Sequence, residues 1–400
     1  MTKTDNIIKT ASDRTEALYW LWILDALGGK SYKASKLCTQ IASAAEIYRA
    51  DFGRLSAYEG IDGDDIEALC SKDLSAAENY MRFCTSKGVR IILHTDDEYP
   101  IELKETDGYP AVLFAYGNVE EAFAKPKIAI VGTRECTAYG EKCTKELAFA
   151  LSKTGFTIVT GVARGIDPAA IEGAVAAHGS IIAMLPGGHL NTHFNSSYKF
   201  KELHEHGVLL SEHLPNTQTH KFSYHERNRL ISGLSLGTVV TQAPLSSGAL
   251  ITASHAINQN RDVFALISNT DMDQAKGSNN LLREGAVPLI DYKDIVNFYR
   301  FALGDRIDPD TAIDFREITR DDSEEKDIDT EVKDFKRIAG QHLTFEETTV
   351  FDCIGLNETD IDSIIEKTGY PVSTVMSILS SLEATGAITP CPGNKYKISL

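Results

Sequence analysis

The sequence predicts an α/β protein: a parallel-sheet core set between an N-terminal helical unit and a C-terminal winged helix. Three observations predict it. Between residues 127 and 252, four apolar segments run straight into glycine-containing turns: KIAIVGTR, FTIVTGVARGID, SIIAMLPGG and TVVTQAPLSSGALIT. Strand-like and helix-length segments alternate over the same stretch, an order that demands crossover connections and a sheet covered on both faces. Near the C-terminus, two short helical segments with a tight turn precede a β-hairpin, which is the winged-helix plan.

In chain order, residues 1–85 form the helical domain. Leu18, Leu21, Trp22, Leu24, Leu27, Ile41, Ile47 and Leu55 follow helical spacing. The Leu27-Gly28-Gly29 turn resembles that of a helix–hairpin–helix, and a plain helical bundle is the other reading. The apolar run from Ala17 to Leu24 stops at Asp25, too short to span a bilayer, and no small-residue cleavage site follows it. The core covers residues 86–300, with lead-in strands at 89–93 and 111–116 within residues 86–120. Its strands are expected at 128–131, 157–160, 181–185, 208–210, 238–241, 263–266 and 287–290. Helices are expected to begin near Tyr139, Asp167, Ser196, His225 and Ala249, with Asp167 as an N-cap and Pro168 in the first turn. Residues 301–339 read as a linker, because residues 305–334 hold 13 acidic against 5 basic side chains and lack apolar periodicity. In the final unit, 340–400, helices at 359–367 and 373–382 are followed by a hairpin of 387–389 and 395–398 about Pro392-Gly393-Asn394.

The net charge of −17 argues against nucleic acid only superficially. Residues 127–292 hold 14 basic and 14 acidic side chains, so the core is neutral. Seven cysteines without a C-x-x-C pair indicate reduced thiols of a cytoplasmic protein. Nine of the eleven histidines fall within residues 127–292, but their scatter lacks ligand spacing, so no metal is assigned. Neither G-x-G-x-x-G, a Walker A loop, G-x-S-x-G nor H-E-x-x-H occurs, and no cofactor or catalytic residue is assigned.

In a parallel sheet the strand C-termini share one edge, so the four turns converge on one crevice. Glycine admits a close ligand, helix N-termini favour anions, and Arg134 and Arg164 add guanidinium forks suited to phosphate. One such turn alone would be ordinary packing; four, two of them bearing arginine, indicate an anion groove. In His225-Glu226-Arg227-Asn228-Arg229 the two arginines point to different faces of a helix. One is expected in the crevice and the other on a carboxylate. Phe194, Tyr198, Phe222 and Tyr224 are stacking candidates that could equally be core.

The segments KIAIVGTR, IVTGVARGIDPAA, RNRLISGLS, SSGALITA and GSNNLLREGA, in this order, resemble the DNA-processing protein A family (DprA, also called Smf). The likeness extends to the helical domain, of SAM or helix–hairpin–helix type, and to the winged helix. It implies an extended Rossmann-like core that binds single-stranded DNA, protects incoming strands in natural transformation and helps load the RecA recombinase. It implies a homodimer through the core and phosphate contacts at Arg134, Gly161, Arg164, Arg229, Ser247 and Gly248. The same motifs and turns supply Gly132, Thr133, Ala163, Gly165, Gly187, Gly188, Arg227, Asn228, Thr252 and Asn279 as further candidates. Departures are Thr133 for serine, Ile171 for histidine and Ser246 for arginine. Pro186-Gly187-Gly188-His189 also resembles the turn of nucleoside-monophosphate phosphoribohydrolases, but the glutamate those enzymes need is missing from the residues that follow. The expected protein is therefore a binding protein without turnover, the alternative being a nucleotide-handling enzyme or sensor built on the same crevice. The winged helix, with three lysines against eight acids over residues 340–400, is expected to meet protein or regulate the chain rather than enter a DNA groove.

Overall fold

Every residue of Lys127–Val131 is buried, as a strand covered on both faces must be. In the computed structural model, which describes residues 11–194, 203, 205–319, 345–354, 359–384, 388–391 and 393–398, this strand lies within a nine-stranded sheet. The strands are β1 (Arg90–Leu93), β2 (Val112–Gly117), β3 (Lys127–Val131), β4 (Thr157–Thr160), β5 (Ile181–Met184), β6 (Gly207–Ser211), β7 (Gly237–Val240), β8 (Asp262–Leu266) and β9 (Val287–Leu289). Their order is β1-β2-β6-β5-β4-β3-β7-β8-β9. β3 to β9 run parallel, which gives an extended Rossmann-like core.

Alternate side chains face the two layers. Ala129, Val131, Val159 and Val240 pack with Leu230, Ile231, Ala253 and Ala256 from helices Lys221–Gly233 and Ala249–Asn258. Ile128, Ile130, Ile158 and Val239 pack with Leu147, Leu151, Ala170 and Tyr299 from helices Ala138–Lys153, Ile166–Ala176 and Tyr292–Leu303 on the other face. Lys127 is buried too, its Nζ donating to Glu102 Oε1 at 2.7 Å and to the Phe123 carbonyl at 2.9 Å.

One pairing was left open by the sequence, and three of its expectations need correction. The lead-in strands join the sheet, β2 pairing antiparallel with β6 so that Phe114 faces Ser211. Their alternation explains this. Ile91, Leu93, Val112 and Phe114 face the N-terminal helices, while Ile92, Leu113 and Ala115 face the inner core. The helix expected at His225 begins at Lys221, one turn earlier. The helix expected at Asp167 begins at Ile166, and its N-cap is Gly165 at φ +87°, where an L side chain would be strained. The start of the acidic linker packs onto the core: Ile307 is buried, Phe315 lies 6.2 Å from the Phe149 ring, and Glu317 pairs with Lys153 at 2.8 Å. The helix expected near Ser196, Tyr198, the side chain of Phe194 and linker residues 320–344 lie outside the described residues.

The chain divides at Ile318 and Thr319. In the second unit, helices Phe345–Asp352, Ile361–Thr368 and Val372–Ala384 accompany strands β10 (Thr359–Asp360), β11 (Ile388–Cys391) and β12 (Lys395–Ile398), in the sheet order β10-β12-β11. Val350, Phe351, Ile364, Val375, Leu379 and Leu382 form its own core, and Gly369, at φ +69°, turns the chain between the second and third helices. No described helix is long and apolar enough to cross a membrane.

Candidate anion-binding crevice

β3 has β4 on one side and β7 on the other, so the chain leaves the sheet centre in both directions, and at such a switch point the loops part to open a crevice. Here the crevice measures about 500 Å³, and its walls include Gly132, Thr133, Arg134, Ala163, Arg227, Asn228, Ser247, Gly248 and Thr252. Nine of the sequence-expected residues therefore meet in one place.

Close packing of glycines builds the walls. A Cβ on Gly132 would strike Ile166 and the Gln242 carbonyl, so the first turn lies directly against the second. The Thr133 N–H donates to the Gln242 carbonyl at 2.7 Å, tying β3 to β7, and the Thr133 carbonyl accepts from Ile166 N–H at 3.2 Å. Gly165 allows this approach, because its Cβ would collide with the Thr133 carbonyl and the Arg134 backbone. Gly161 leaves room for the Arg227 guanidinium and the Asp167 carboxylate. Neither Gly161 nor Gly165 is among the lining residues; both work from behind the wall.

The cations differ in setting. Arg134 is exposed and lies 5.0 Å from the Tyr224 ring centroid. Arg227, 5.9 Å from the same ring, is only 3% exposed and donates from Nη1 to the Met184 carbonyl at 2.9 Å. Its buried Nε has no hydrogen-bond partner among the described residues. Burial pushes the carboxyl of Asp167 up, and the charge of Arg227 acts against that shift. Burial likewise lowers Arg227, against the pull of Asp167. Lys221, which sequence reasoning missed, also lines the crevice, with Tyr224, His225 and Asn228 at helical spacing from it. The signal was present in that spacing, but a helix begun at His225 leaves Lys221 in a loop.

Helix Ala249–Asn258 brings its N-terminus to the crevice through Ser247, Gly248 and Ala249. The Ser247 Oγ accepts the Ala249 N–H at 3.2 Å, and the Asn228 Nδ2 donates to the Gly248 carbonyl at 3.4 Å, linking the two helices. The aligned peptides of such an end favour an anion.

Five candidates lie elsewhere. Arg229 pairs with the buried Glu212 and donates to the Gly108 carbonyl at 2.8 Å; Glu212 also accepts from Ser31 of the helical domain. The expectation that Arg229 reaches phosphate in the crevice is thus corrected: it is a structural joint. The Gly188 N–H donates to the Thr217 carbonyl at 3.0 Å, and Gly187 packs on Thr219 and Thr217, so a loop fills the third turn. Asn279 holds the chain after β8, donating to the Ser268 carbonyl at 3.1 Å. Arg164 is exposed beside the lining residue Ala163 without being part of the wall.

Comparison with known proteins agrees with this architecture. The profile of the family described as DNA recombination-mediator protein A matches residues 90–300, and that of the DprA winged helix domain matches residues 339–394. DNA processing protein DprA of Bacillus subtilis is 37% identical over 210 residues, 52% of this chain and 71% of that protein. Protein Smf of Escherichia coli is 31% identical over 311 residues, 77% of each chain. The crystal structure of DNA processing protein A from Streptococcus pneumoniae matches with a TM-score of 0.61 at 27% identity, covering 70% of this chain and 97% of that one.

Proposed function

Because the chain belongs to the DNA recombination-mediator protein A family, DprA/Smf, we propose that its crevice grips the backbone of single-stranded DNA. The observation that carries this reading is the convergence of Arg134, Lys221, Arg227 and a helix N-terminus on one opening of about 500 Å³. That is the size of a small-ligand pocket, a volume that takes single nucleotide units and not a double helix. Guanidinium forks, an ammonium and backbone N–H groups contact phosphate and carry no sequence information, so binding is indifferent to base identity. The protein acts by binding, without turnover. The turn that resembles a phosphoribohydrolase is filled by residues 214–219, and His189 there is buried with Nε2 2.9 Å from the Phe114 carbonyl.

As a recombination mediator it works in the cytoplasm, protects incoming single strands and hands them to the RecA recombinase. A homodimer forms through the open β9 edge of the core, where Ile290, the residue that follows the strand, is 76% exposed.

A competition experiment tests the reading. A short oligothymidine is expected to bind at micromolar concentration or below and to resist displacement by millimolar mononucleotides. Ready displacement would favour the nucleotide-sensor alternative.

A further inference from the structure

Gln242, the second residue after β7, is 1% exposed, and a carboxamide so buried is costly unless its polar atoms are paired. Its backbone and its side chain work on one loop. The Gln242 carbonyl accepts the Thr133 N–H at 2.7 Å, and its side-chain Oε1 accepts the Thr137 N–H at 2.9 Å. Residues 133–137 link β3 to helix Ala138–Lys153 and carry Arg134. With Oε1 committed to Thr137, the Nε2 group donates to Thr137 Oγ1 at 3.1 Å and to Met272 Sδ, beyond β8, at 3.0 Å. Gly140 leaves the space that the carboxamide occupies, since a Cβ there would strike Oε1. Thr137 in turn caps the helix, its Oγ1 accepting the Gly140 N–H at 3.1 Å.

Between the two anchored ends, Arg134 is exposed, its guanidinium 5.0 Å from the Tyr224 ring centroid. The backbone beneath it therefore largely decides where the charge sits. A cation on a loop that must first be ordered binds an anion more weakly than one already held in place, because ordering opposes association. We propose that Gln242, which is not among the residues of the crevice wall, is a positioning residue that holds the Arg134 loop in the conformation that meets phosphate. This rests on the proposed backbone grip and adds to it a residue that acts on affinity through Arg134.

The test is a double-mutant cycle on the full chain, titrated with a labelled oligothymidine by fluorescence anisotropy. Gln242→Met keeps the length of the side chain and removes the amide donor and acceptor. It is expected to weaken binding about fivefold on the wild-type background and to change nothing further on the Arg134→Ala background. Gln242→Glu, which keeps an acceptor for the Thr137 N–H, should restore most of the lost affinity. Gln242→Ala should reproduce the pattern of Gln242→Met, and it carries the test if the longer side chain prevents folding. A loss of equal size on both backgrounds would make Gln242 a structural residue and overturn the proposal, as would wild-type affinity in Gln242→Met. Undiminished binding by Arg134→Ala would instead overturn the grip on which the proposal rests.

Discussion

Arg134 and Arg227 flank the same Tyr224 ring, at 5.0 and 5.9 Å, yet they are held by opposite physics. Arg134 is in solvent, so its charge is available to a ligand at little cost to the fold. Arg227 is buried over Asp167, where each charge depends on the other. Arg134→Ala should therefore weaken single-strand binding about tenfold or more, the loss of a charge-assisted contact of about 1.5–3 kcal/mol, with the melting temperature nearly unchanged. Arg164→Ala should behave in the same way. Arg227→Ala should instead destabilise the fold by about 3 kcal/mol or more in urea unfolding, because it leaves Asp167 buried without a counter-charge. Matching stability losses for Arg134→Ala and Arg227→Ala would refute this division. Single residues were the least legible part of the sequence. The motifs made Arg134, Arg227 and Arg229 equal candidates. What separates them is Met184, Asp167 and Glu212, partners brought in from other strands and loops by the tertiary fold.

At the scale of elements, the strands follow from periodicity, and every core strand lies within two residues of its expected ends. Helix starts were harder to place, because they depend on local backbone geometry as well as on side-chain type. The expected cap at Asp167 gives way to Gly165, the residue that lets the second turn lie on the first. In the helical domain, Lys33 is buried between Asp62 and Asp65, joining helix Ser31–Cys38 to helix Gly63–Ser71. The Lys33 hydrogen bond is the largest cause holding the Asp62 carboxyl down at about 2. A depressed carboxyl contributes stability above its unfolded-state value of about 3.9 and loses it as pH falls through its folded-state value. Asp62→Asn should consequently be less stable than the wild type at neutral pH, with the gap closing between about pH 4 and pH 2. Thermal unfolding across that range is the check, and a gap that stays constant would count against the Lys33 latch.

At the scale of the whole molecule, composition misleads about the partner, since a net charge of −17 hides a cationic crevice in a neutral core. Acidity outside the core bears on the C-terminal unit. Helix Val372–Ala384 exposes Ser373, Thr374, Met376, Ser377 and Ser380 and has no lysine or arginine, so it gains nothing from counterion release on DNA. We expect this unit to meet protein or to regulate the chain. Truncation after Thr319, which spares the packed residues around Ile307 and Phe315, should leave single-strand affinity unchanged or slightly higher; a tenfold loss with the core still folded would assign the winged helix to DNA binding. Charge runs put the expected linker at residues 301–339, whereas the two compact units part at Ile318 and Thr319. The fusion of the helical domain with the sheet was not legible in the sequence, because it depends on β2 pairing with β6 nearly a hundred residues later. We propose that the crevice selects single strands by gripping a backbone it can enclose only when unpaired. The most direct measurement is an anisotropy titration of the full chain with a labelled oligonucleotide, alone and annealed to its complement, at two salt concentrations. Tighter binding of the single strand is expected, with an affinity that falls with salt by the equivalent of a few neutralised phosphates. Equal affinity for the single strand and the duplex would contradict it.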